Sequence, residues 1–475
     1  MKILLINPPA ENEILSCNPE IIKSERGFDP PLGLLYLAGY IKKYSNHSLK
    51  IIDAQAERLN YPQLKEQIKE FNPEIIGITA MTFTLLDVME TIKIAKEACP
   101  NTRIVIGGPH VQIYSEETIN LKNIDYVVLG EGEKIFLELI NNINQTNKLK
   151  TIKGLVFKEN NKIINTGRPD YFNNLDELPF PPREMLHYKN YFSLLAKEKT
   201  ITTMFTSRGC PFNCAFCDRP AMGRNFRARS AKNVIDEIRE CLWLGIKEIF
   251  IYDDTFTVDR QRVIDLCNEI IQQDLKFVWD IRARVNTVDE ELLFLLKRAG
   301  CERIHFGVEA GTEKILKVLN KQISLDQALN AFRLARKAKI QTLAYFMIGS
   351  PTETKEDILQ TIKFMNKLDP DFVQITLLTP FPGTKIYQWA LDQKVFQTDY
   401  WREFATNPTP GFKTRYWTKE LSKEELERFL VMAYKKFYLR PNYIIKRIKA
   451  ITSLTELYRK AKAGLRVLTM KKNAF

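Results

Sequence analysis

Three cysteines close together are the residues of this sequence best suited to chemistry. Cys210, Cys214 and Cys217 have C-x3-C-x2-C spacing, and the other five cysteines are scattered along the 475 residues. In a chain without a recognisable secretory signal, such grouping indicates metal or redox chemistry rather than a disulfide. Structural zinc sites usually have four protein ligands, and no fourth cysteine or histidine lies nearby. Iron–sulfur clusters normally take four thiolates, so this spacing favours a cluster with one open iron, with zinc or unreactive thiols as alternatives.

Other residues with chemical potential stand where strand-like segments end. They are Asp253, Asp254, Arg284, Glu309 and Gly349. Structural roles remain open for all of them. The aspartates would serve as helix caps and Glu309 as a charge at a helix N-terminus. Arg284 would pair with either aspartate, and Gly349 would begin a helix.

The segments that must position these residues alternate between strand and helix patterns. After residue 196, six β-branched or aromatic runs are separated by helix-length sequence, at 202–207, 248–253, 277–282, 303–308, 342–349 and 371–378. A complete eight-unit barrel typically needs about 250 residues, so six units in about 180 residues predict a partial (βα)6, TIM-like barrel. Active sites of such barrels lie at the carboxyl ends of the strands, where the cysteines and the charged residues fall.

A second α/β pattern precedes the barrel. Five strand-like runs alternate with helix-forming sequence, which predicts a parallel, doubly wound, Rossmann-like sheet. Because ligands bind at the carboxyl ends of such strands, the binding residues expected there are Thr79, Thr82, Gly107, Gly108, Gly130 and Glu131. No G-x-G-x-x-G motif follows the first strand, which disfavours a nicotinamide or flavin dinucleotide.

These patterns divide the α/β chain into four regions. Residues 1–145 form the doubly wound domain, and residues 146–195 form a hairpin and a proline-rich linker. The barrel spans residues 196–386, and a helical, basic C-terminal extension spans residues 387–475. The hairpin is expected to turn at Asn160 and Asn161, because asparagine tolerates the backbone of a two-residue turn.

The formal charge of +13 is concentrated at one end, since much of the excess lies in residues 416–475. A solvated, lysine-rich helical face explains this charge, and an anionic lipid surface or an acidic substrate is the alternative. No secretory signal and no bilayer-length apolar run are visible, so we expect a cytoplasmic protein. Its basic C-terminus would allow peripheral membrane contact. A cluster-bearing sensor or nucleic-acid-binding protein is a non-enzymatic alternative, which the local confinement of the charge disfavours.

The cysteine spacing, the aromatic Phe216 before the third cysteine and the strand-end residues together resemble the radical S-adenosylmethionine superfamily. This resemblance implies that the three cysteines bind a 4Fe-4S cluster, whose open iron is chelated by S-adenosylmethionine. Cleavage of S-adenosylmethionine then requires an external one-electron reductant. The resemblance also implies cofactor-binding roles for Asp253 or Asp254 at the amino group, Glu309 at the ribose and Gly349 at the adenine. Arg284 would face the ligand.

With its doubly wound first domain, the chain resembles the cobalamin-binding branch of this superfamily. The resemblance implies a corrin ring over the carboxyl ends of the first sheet, with its amides at loop 79–84. No Asp-x-His-x-x-Gly segment supplies an axial histidine, and His110 is expected to shape its loop. The implied reaction is methylation, or a related modification, of an unactivated carbon in a small-molecule or lipid-like substrate. Oxidative cyclisation of the anaerobic magnesium-protoporphyrin ester cyclase kind is the alternative.

Overall fold

The computed structural model of this protein describes residues 1–14, 27–218 and 223–449, together with residue 468. Two sheets organise this part of the chain, one of seven strands and one of six. Two further antiparallel pairs are only two residues long: Gly27–Phe28 pairs with Phe192–Ser193, and Ser207–Arg208 pairs with Arg227–Ala228.

The central strands of the first sheet form from short apolar runs that are buried on both faces. Its strands are β1 (Lys2–Asn7), β2 (Ser48–Asp53), β3 (Ile75–Thr79), β4 (Arg103–Gly107), β5 (Tyr126–Val128), β6 (Leu155–Glu159) and β7 (Lys162–Asn165). The spatial order is β2-β1-β3-β4-β5-β6-β7, and the first five strands are parallel. The strand order reverses between β1 and β3, which is where doubly wound sheets bind ligands. The predicted doubly wound domain is confirmed.

Helices cover both faces of this sheet. They are α1 (Leu32–Tyr44), α2 (Tyr61–Phe71), α3 (Leu85–Ala98), α4 (Ser115–Asn120), α5 (Gly132–Asn142) and α6 (Thr146–Leu149). Strand β1 shows why two layers are needed: Leu4 and Ile6 belong to one buried cluster, whereas Ile3 and Leu5 belong to another. Because side chains alternate along a strand, the two clusters lie on opposite faces of the sheet.

The hairpin occurs where the asparagine pair predicts it, but it does not belong to the linker. Asn160 and Asn161 have φ angles of 48° and 61°, and they join β6 to β7. Strand β6 pairs antiparallel with β5, so the hairpin extends the first sheet. The first structural unit therefore continues past residue 145. The connector that follows contains three short 3-10 turns, Leu175–Glu177, Arg183–Met185 and Tyr188–Asn190.

The second sheet consists of six parallel strands in sequential order. They are β8 (Ile201–Met204), β9 (Glu248–Ile251), β10 (Val278–Ala283), β11 (Cys301–Glu309), β12 (Gln341–Ile348) and β13 (Phe372–Leu377). The outer layer contains α7 (Ala231–Trp243), α8 (Arg260–Gln272), α9 (Glu290–Arg298), α10 (Glu313–Val318), α11 (Leu325–Lys337) and α12 (Lys355–Leu368). In the described part of the chain β8 does not pair with β13. The predicted partial barrel is therefore confirmed.

The inner face of this barrel is polar. On β10, Trp279 and Ile281 are fully buried in the apolar cluster. Because side chains alternate, Asp280 and Arg282 point to the opposite face. Asp280 accepts a hydrogen bond from Arg303 and is 3.1 Å from His305, both on β11. Charged side chains of neighbouring strands thus meet inside the barrel.

The C-terminal region covers the open edge of the barrel. Its helices are α13 (Lys385–Asp392), α14 (Tyr400–Thr406), α15 (Lys423–Tyr438) and α16 (Pro441–Lys449). The Tyr434 hydroxyl accepts a hydrogen bond from the Ile375 amide and donates one to the Ile375 carbonyl, and Tyr438 does the same at Val373. These contacts satisfy edge-strand groups that would otherwise be open to another chain. The end of the predicted basic tail, from residue 450 onward apart from residue 468, lies outside the described residues.

None of the described helices combines the length and the apolar composition needed to cross a membrane.

Candidate functional site

The cysteine loop follows β8, and a buried carboxylate holds its beginning. Asp253 accepts hydrogen bonds from the backbone amides of Thr206 and Ser207 at 2.6 and 3.0 Å. Asp253 also accepts hydrogen bonds from the hydroxyl groups of these two residues, at 2.5 and 2.6 Å. The Arg262 guanidinium donates a further hydrogen bond to Asp253 at 3.3 Å. Both oxygens of Asp253 are therefore engaged by the protein. We assign Asp253 to supporting the loop rather than to binding a cofactor.

Its neighbour Asp254 is exposed. Neither aspartate caps the following helix, because Asp259 accepts the hydrogen bond from the amide of Arg262 at the start of α8. The interpretation of the aspartate pair as a helix cap is therefore wrong. Asp254 remains a predicted cofactor-binding residue.

The three cysteines of the loop differ in exposure. Cys210 is buried and has its sulfur 3.7 Å from the hydroxyl of Thr255, Cys214 is partly buried and Cys217 is exposed. None of them forms a disulfide. Within the described residues, no three Cys, His, Asp or Glu side chains converge closely enough to hold a single metal ion. Three thiols on one loop, none of them in a disulfide, nevertheless fit the donor set of a cluster that keeps one iron open.

A turn that the sequence did not predict to be important braces this loop. We call residues 319–322, which follow α10, the bracing turn. Its Leu319 carbonyl accepts the amide of Ala215 at 2.8 Å, and its Asn320 side chain donates to the Asn213 carbonyl at 2.6 Å. Asn320 and Gln322 have φ angles of 49° and 54°, a conformation that few residues adopt without support. The bracing turn therefore has a defined shape that fits the cysteine loop.

Arg284 lies against the cysteine loop and not against the aspartates. Its Nη1 group donates to the sulfur of Cys214 at 3.5 Å, and its Nη2 group donates to the carbonyl of Lys321 in the bracing turn. The guanidinium also stacks over the ring of Phe212, 3.8 Å from the centroid. The alternative of an ion pair with Asp253 or Asp254 is wrong, because none of these contacts involves an aspartate.

Glu309 ends β11 in a strained conformation with φ of 73°. It is buried and accepts a hydrogen bond from Lys321 at 2.7 Å. A side chain at Gly307 would approach the Glu309 carboxylate and the Lys321 amine to 2.4 and 2.7 Å, so glycine leaves room for this pair. The Lys321 amine is also 5.7 Å from the ring centroid of Phe216. The fold thus brings Glu309 and Phe216 together with a lysine that the sequence analysis missed.

Gly349 belongs to a tight turn after β12. It has φ of 90°, and its amide and that of Ser350 donate to the buried Glu353 carboxylate at 2.6 and 2.9 Å. Burial raises the pKa of Glu353 to about 7. A Cβ atom at Gly349 would lie 3.2 Å from Leu426 of α15. The face of Gly349 where a Cβ would lie therefore packs on the C-terminal region. The contact of Gly349 with adenine stays a prediction.

A cleft of about 320 Å³ lies at the switch point of the first sheet. Amide, carboxylate and hydroxyl groups line it beside apolar ones; the residues are Asn7, Glu13, Pro31, Leu32, Gly33, Leu34, Gln55, Thr79, Met81, Phe83 and Thr84. Polar groups at the carboxyl ends of β1 and β3 fit the amide rim of a corrin ring. Of the predicted binding residues, Thr79 lines this cleft.

Thr82 and His110 lie beside the cleft and hold one another. The Thr82 hydroxyl is 3.0 Å from Nδ1 of His110, which is fully buried. Burial lowers the pKa of His110 to about 4, so its ring is neutral at physiological pH. Its Nε2 atom has no hydrogen-bond partner within the described chain. This placement agrees with a role of His110 in shaping the loop.

The remaining predicted cofactor residues of the first domain do not line the cleft. Gly108 has φ of 101° and lets two loops approach, because a Cβ there would be 2.7 Å from the Ala80 carbonyl. Gly130 has φ of 66°, and a Cβ there would be 2.4 Å from Pro169. Gly107 ends β4 beside them. The glycine character of Gly108 and Gly130 therefore serves loop packing, whereas a Cβ at Gly107 would lie 3.9 Å from the Val128 carbonyl, an ordinary contact.

Glu131 binds the second domain instead of lining the cleft. It pairs with Arg208 at 3.2 Å and with Arg227 at 2.8 Å. Burial alone would raise its pKa, but the hydrogen bond from Arg227 and the charge of Arg208 lower it. The prediction that Glu131 contacts a cofactor is therefore corrected: Glu131 connects the first domain to the second.

These contacts bring the active edges of the two sheets together. Arg208, at the start of the cysteine loop, also pairs with Glu133 at 2.6 Å. A Cβ at Gly383, after β13, would lie about 3 Å from both Asp218 and Ile113. Asp218 follows the third cysteine, and Ile113 follows β4 of the first sheet. The carboxyl ends of both sheets therefore face each other.

Comparisons with known proteins identify two modules. The family profile described as the Radical SAM superfamily matches residues 204–365, and the one described as the B12 binding domain matches residues 21–140. An uncharacterized methyltransferase of Pyrococcus horikoshii is 38% identical over 473 residues, covering 97% of this chain and 99% of that protein. An anaerobic magnesium-protoporphyrin IX monomethyl ester cyclase of Cereibacter sphaeroides is 32% identical, covering 86% of this chain and 67% of that protein.

Solved structures show the same fold. The cobalamin-dependent S-adenosylmethionine radical enzyme OxsB, with aqua-cobalamin and S-adenosylmethionine bound, superposes with a TM-score of 0.73 at 18% sequence identity. The superposition covers 98% of this chain and 72% of that chain. The likeness therefore extends over both sheets and the C-terminal region.

Proposed function

Because the chain belongs to the cobalamin-binding branch of the radical S-adenosylmethionine superfamily, we propose that it methylates a carbon atom of a small molecule. Its cofactors are a 4Fe-4S cluster, S-adenosylmethionine and cobalamin. The methyltransferase of Pyrococcus horikoshii supports methyl transfer, because the two chains align over nearly their whole lengths.

Each of the three cofactors would be held by a different group of the residues described above. Cys210, Cys214 and Cys217 would hold the cluster, Glu309 would bind S-adenosylmethionine, and the switch-point cleft would hold cobalamin. When bound, these groups supply the one-electron cleavage of S-adenosylmethionine and the transfer of a methyl group. The protein orients them, keeps water from the space between the domains and fixes the substrate there.

One observation carries this proposal: the start of the cysteine loop is ion-paired to the carboxyl edge of the first sheet. Arg208 contacts both Glu131 and Glu133, and all three side chains are buried. A substrate between the domains would therefore meet the radical chemistry on one side and the methyl carrier on the other. Two separate cofactor sites facing solvent would not support the proposal.

Cleavage of S-adenosylmethionine labelled in its methyl group tests the proposal. With cobalamin, a low-potential one-electron reductant and candidate small-molecule substrates as the source of hydrogen atoms, the anaerobically reconstituted enzyme is expected to form 5′-deoxyadenosine and S-adenosylhomocysteine. Cys217→Ala is a suitable variant, because Cys217 is exposed and its loss should cost little stability. Cys99→Ala is the matched control, since Cys99 is buried in the first domain.

We expect Cys217→Ala to lose 5′-deoxyadenosine formation completely and Cys99→Ala to retain it. Equal activity of the two variants would contradict the cluster assignment. Formation of 5′-deoxyadenosine without any transfer of the labelled methyl group to cobalamin would contradict methylation.

The magnesium-protoporphyrin ester cyclase of Cereibacter sphaeroides favours a second candidate, oxidative cyclisation. Product mass separates the two reactions. Methylation adds one methylene unit to the substrate, whereas cyclisation changes its oxygen and hydrogen content. A product without added methyl label would favour cyclisation.

We also propose that the C-terminal region contacts an anionic membrane that contains a lipid-like substrate. Support comes from α16, where Ile444 and Ile445 are 40% and 52% exposed beside Lys446. Exposed apolar and basic residues on one helix favour binding at a membrane surface. Co-sedimentation with anionic vesicles should fall when residues 441–475 are deleted, and unchanged co-sedimentation would remove this proposal.

A further inference from the structure

Arg284 is a buried cation that has no acidic partner in the described part of the chain. Its guanidinium hydrogen bonds go to the Cys214 sulfur, the Lys321 carbonyl and the Asn286 side chain. The neighbouring cation of the bracing turn, Lys321, does have a carboxylate partner, because it pairs with Glu309. Among the described residues, no carboxylate therefore balances the charge of Arg284, and its guanidinium lies directly against the Cys214 thiol.

A buried cation is costly unless an opposite charge offsets it. Cysteine thiolates bound to a cluster provide such a charge, and the negative charge of the cluster grows when it accepts an electron. Hydrogen bonds and charges at the sulfurs are among the factors that set the reduction potential of iron–sulfur clusters. A fixed guanidinium beside Cys214 would stabilise the reduced form more than the oxidised form.

The surroundings of Arg284 keep this charge in place. Phe212 stacks on one face of the guanidinium at 3.8 Å, and the Lys321 carbonyl holds Nη2. Both partners belong to the assembly that shapes the cysteine loop, since Phe212 lies between Cys210 and Cys214 and Lys321 lies in the bracing turn. The cation cannot swing toward solvent without breaking these contacts.

We infer that Arg284 is a positioning residue that holds Cys214 and raises the reduction potential of the cluster, so that the external donor can reduce it. This inference rests on the proposed assignment of the three cysteines as cluster ligands. A guanidinium suits this role better than an ammonium group, because its planar fork makes stacking and several directed hydrogen bonds at once.

A redox titration of the reconstituted full-length enzyme, followed by the EPR signal of the reduced cluster, tests the inference. Arg284→Gln is the test variant. Arg282→Gln is the matched control, because Arg282 lies two residues earlier on the same strand but bonds the Ile251 carbonyl and stacks on Tyr252. At a fixed potential we expect the ratio of reduced to oxidised cluster to fall at least tenfold in Arg284→Gln. A tenfold change corresponds to about 59 mV for a one-electron couple.

Arg282→Gln is expected to shift the midpoint potential by less than Arg284→Gln. Equal potentials of Arg284→Gln and the wild type, or equal shifts in the two variants, would overturn the inference. If Arg284→Gln does not assemble a cluster, the pair Arg284→Met and Arg282→Met, which also removes the charge, decides. A more negative potential in Arg284→Met than in Arg282→Met supports the inference, and equal potentials overturn it.

Iron and sulfide analysis of the wild type separates this test from the proposed function. A wild-type chain without a 4Fe-4S cluster would refute the cluster assignment itself. A wild-type chain with a cluster, whose potential does not depend on Arg284, would refute only the present inference.

Discussion

Asp253 and Glu309 are both buried carboxylates at the ends of barrel strands, but the fold gives them different tasks. Asp253 accepts four hydrogen bonds from Thr206 and Ser207, so its charge is used to start the cysteine loop. Glu309 pairs with Lys321 inside the site and adopts a left-handed backbone. Strained residues of this kind concentrate at functional sites, which favours Glu309 over Asp253 as a cofactor contact.

Glu353 makes folding depend on pH. Its pKa is raised from 4.5 to about 7 by burial, against the opposing effect of two backbone amides. Below pH 4.5 this group is protonated in both states. As the pH rises to about 7, the unfolded chain releases the proton while the folded chain keeps it, so the free energy of unfolding falls. Above that pH no further change is expected from this group.

We predict that Glu353→Gln removes this component of the pH dependence. Between pH 4.5 and 7, the stability of the wild type relative to Glu353→Gln should fall by roughly 3 kcal/mol. Urea unfolding of both proteins at several pH values measures the difference. A constant difference across this range would contradict the prediction.

At the scale of elements, α15 covers the open edge of the barrel, where its tyrosine hydroxyls form hydrogen bonds with the backbone of the last strand, β13. Removing the Tyr434 hydroxyl leaves the buried amide and carbonyl of Ile375 without partners, which costs about 1–3 kcal/mol. We predict this loss for Tyr434→Phe in urea unfolding. The control is Tyr438→Phe, whose bonds to Val373 are only partly buried and whose loss should be smaller. Wild-type stability of Tyr434→Phe would refute the proposed edge protection.

The parallel strands of both sheets were predictable from sequence because most of them are short, buried apolar runs with a helix after them. The hairpin turn was also predictable, since Asn160 and Asn161 suit a left-handed backbone locally. Its pairing with β5 was not, because strand pairing between separate segments leaves no local signal. The same applies to the bracing turn: its asparagine favours a turn, but it does not indicate the loop that the turn supports.

Long-range ion pairs explain two of the differences in the site. Glu131 follows the end of a strand of the first sheet, which is why the sequence predicted that it contacts a ligand. In the structure it instead accepts a hydrogen bond from Arg227, which lies 96 residues later in the sequence. Lys321 lies 12 residues after Glu309, and its approach depends on the course of α10. The cysteines were predictable because their spacing is local. Their surroundings come from four other strands and turns, whose assembly requires the fold.

At the scale of the whole molecule, buried ion pairs hold the two domains in register. Arg208 is the only ion-pair partner that the described residues give Glu133. We predict that Arg208→Met destabilises the protein by about 3–5 kcal/mol, because it leaves a buried carboxylate without its cation. Adding Glu133→Gln should restore part of that loss. Urea unfolding of the two variants measures both effects, and additive losses would contradict a direct pairing.

The central claim is that one chain holds two metal cofactors in separate sites that face each other. Iron, sulfide and cobalt analysis after anaerobic reconstitution with cobalamin, supported by absorption spectra, tests it most directly. We predict one 4Fe-4S cluster and one cobalamin per wild-type chain, and loss of iron and sulfide but not cobalt in Cys217→Ala. A wild-type chain without cobalt, or a variant that retains its full cluster, would contradict the claim.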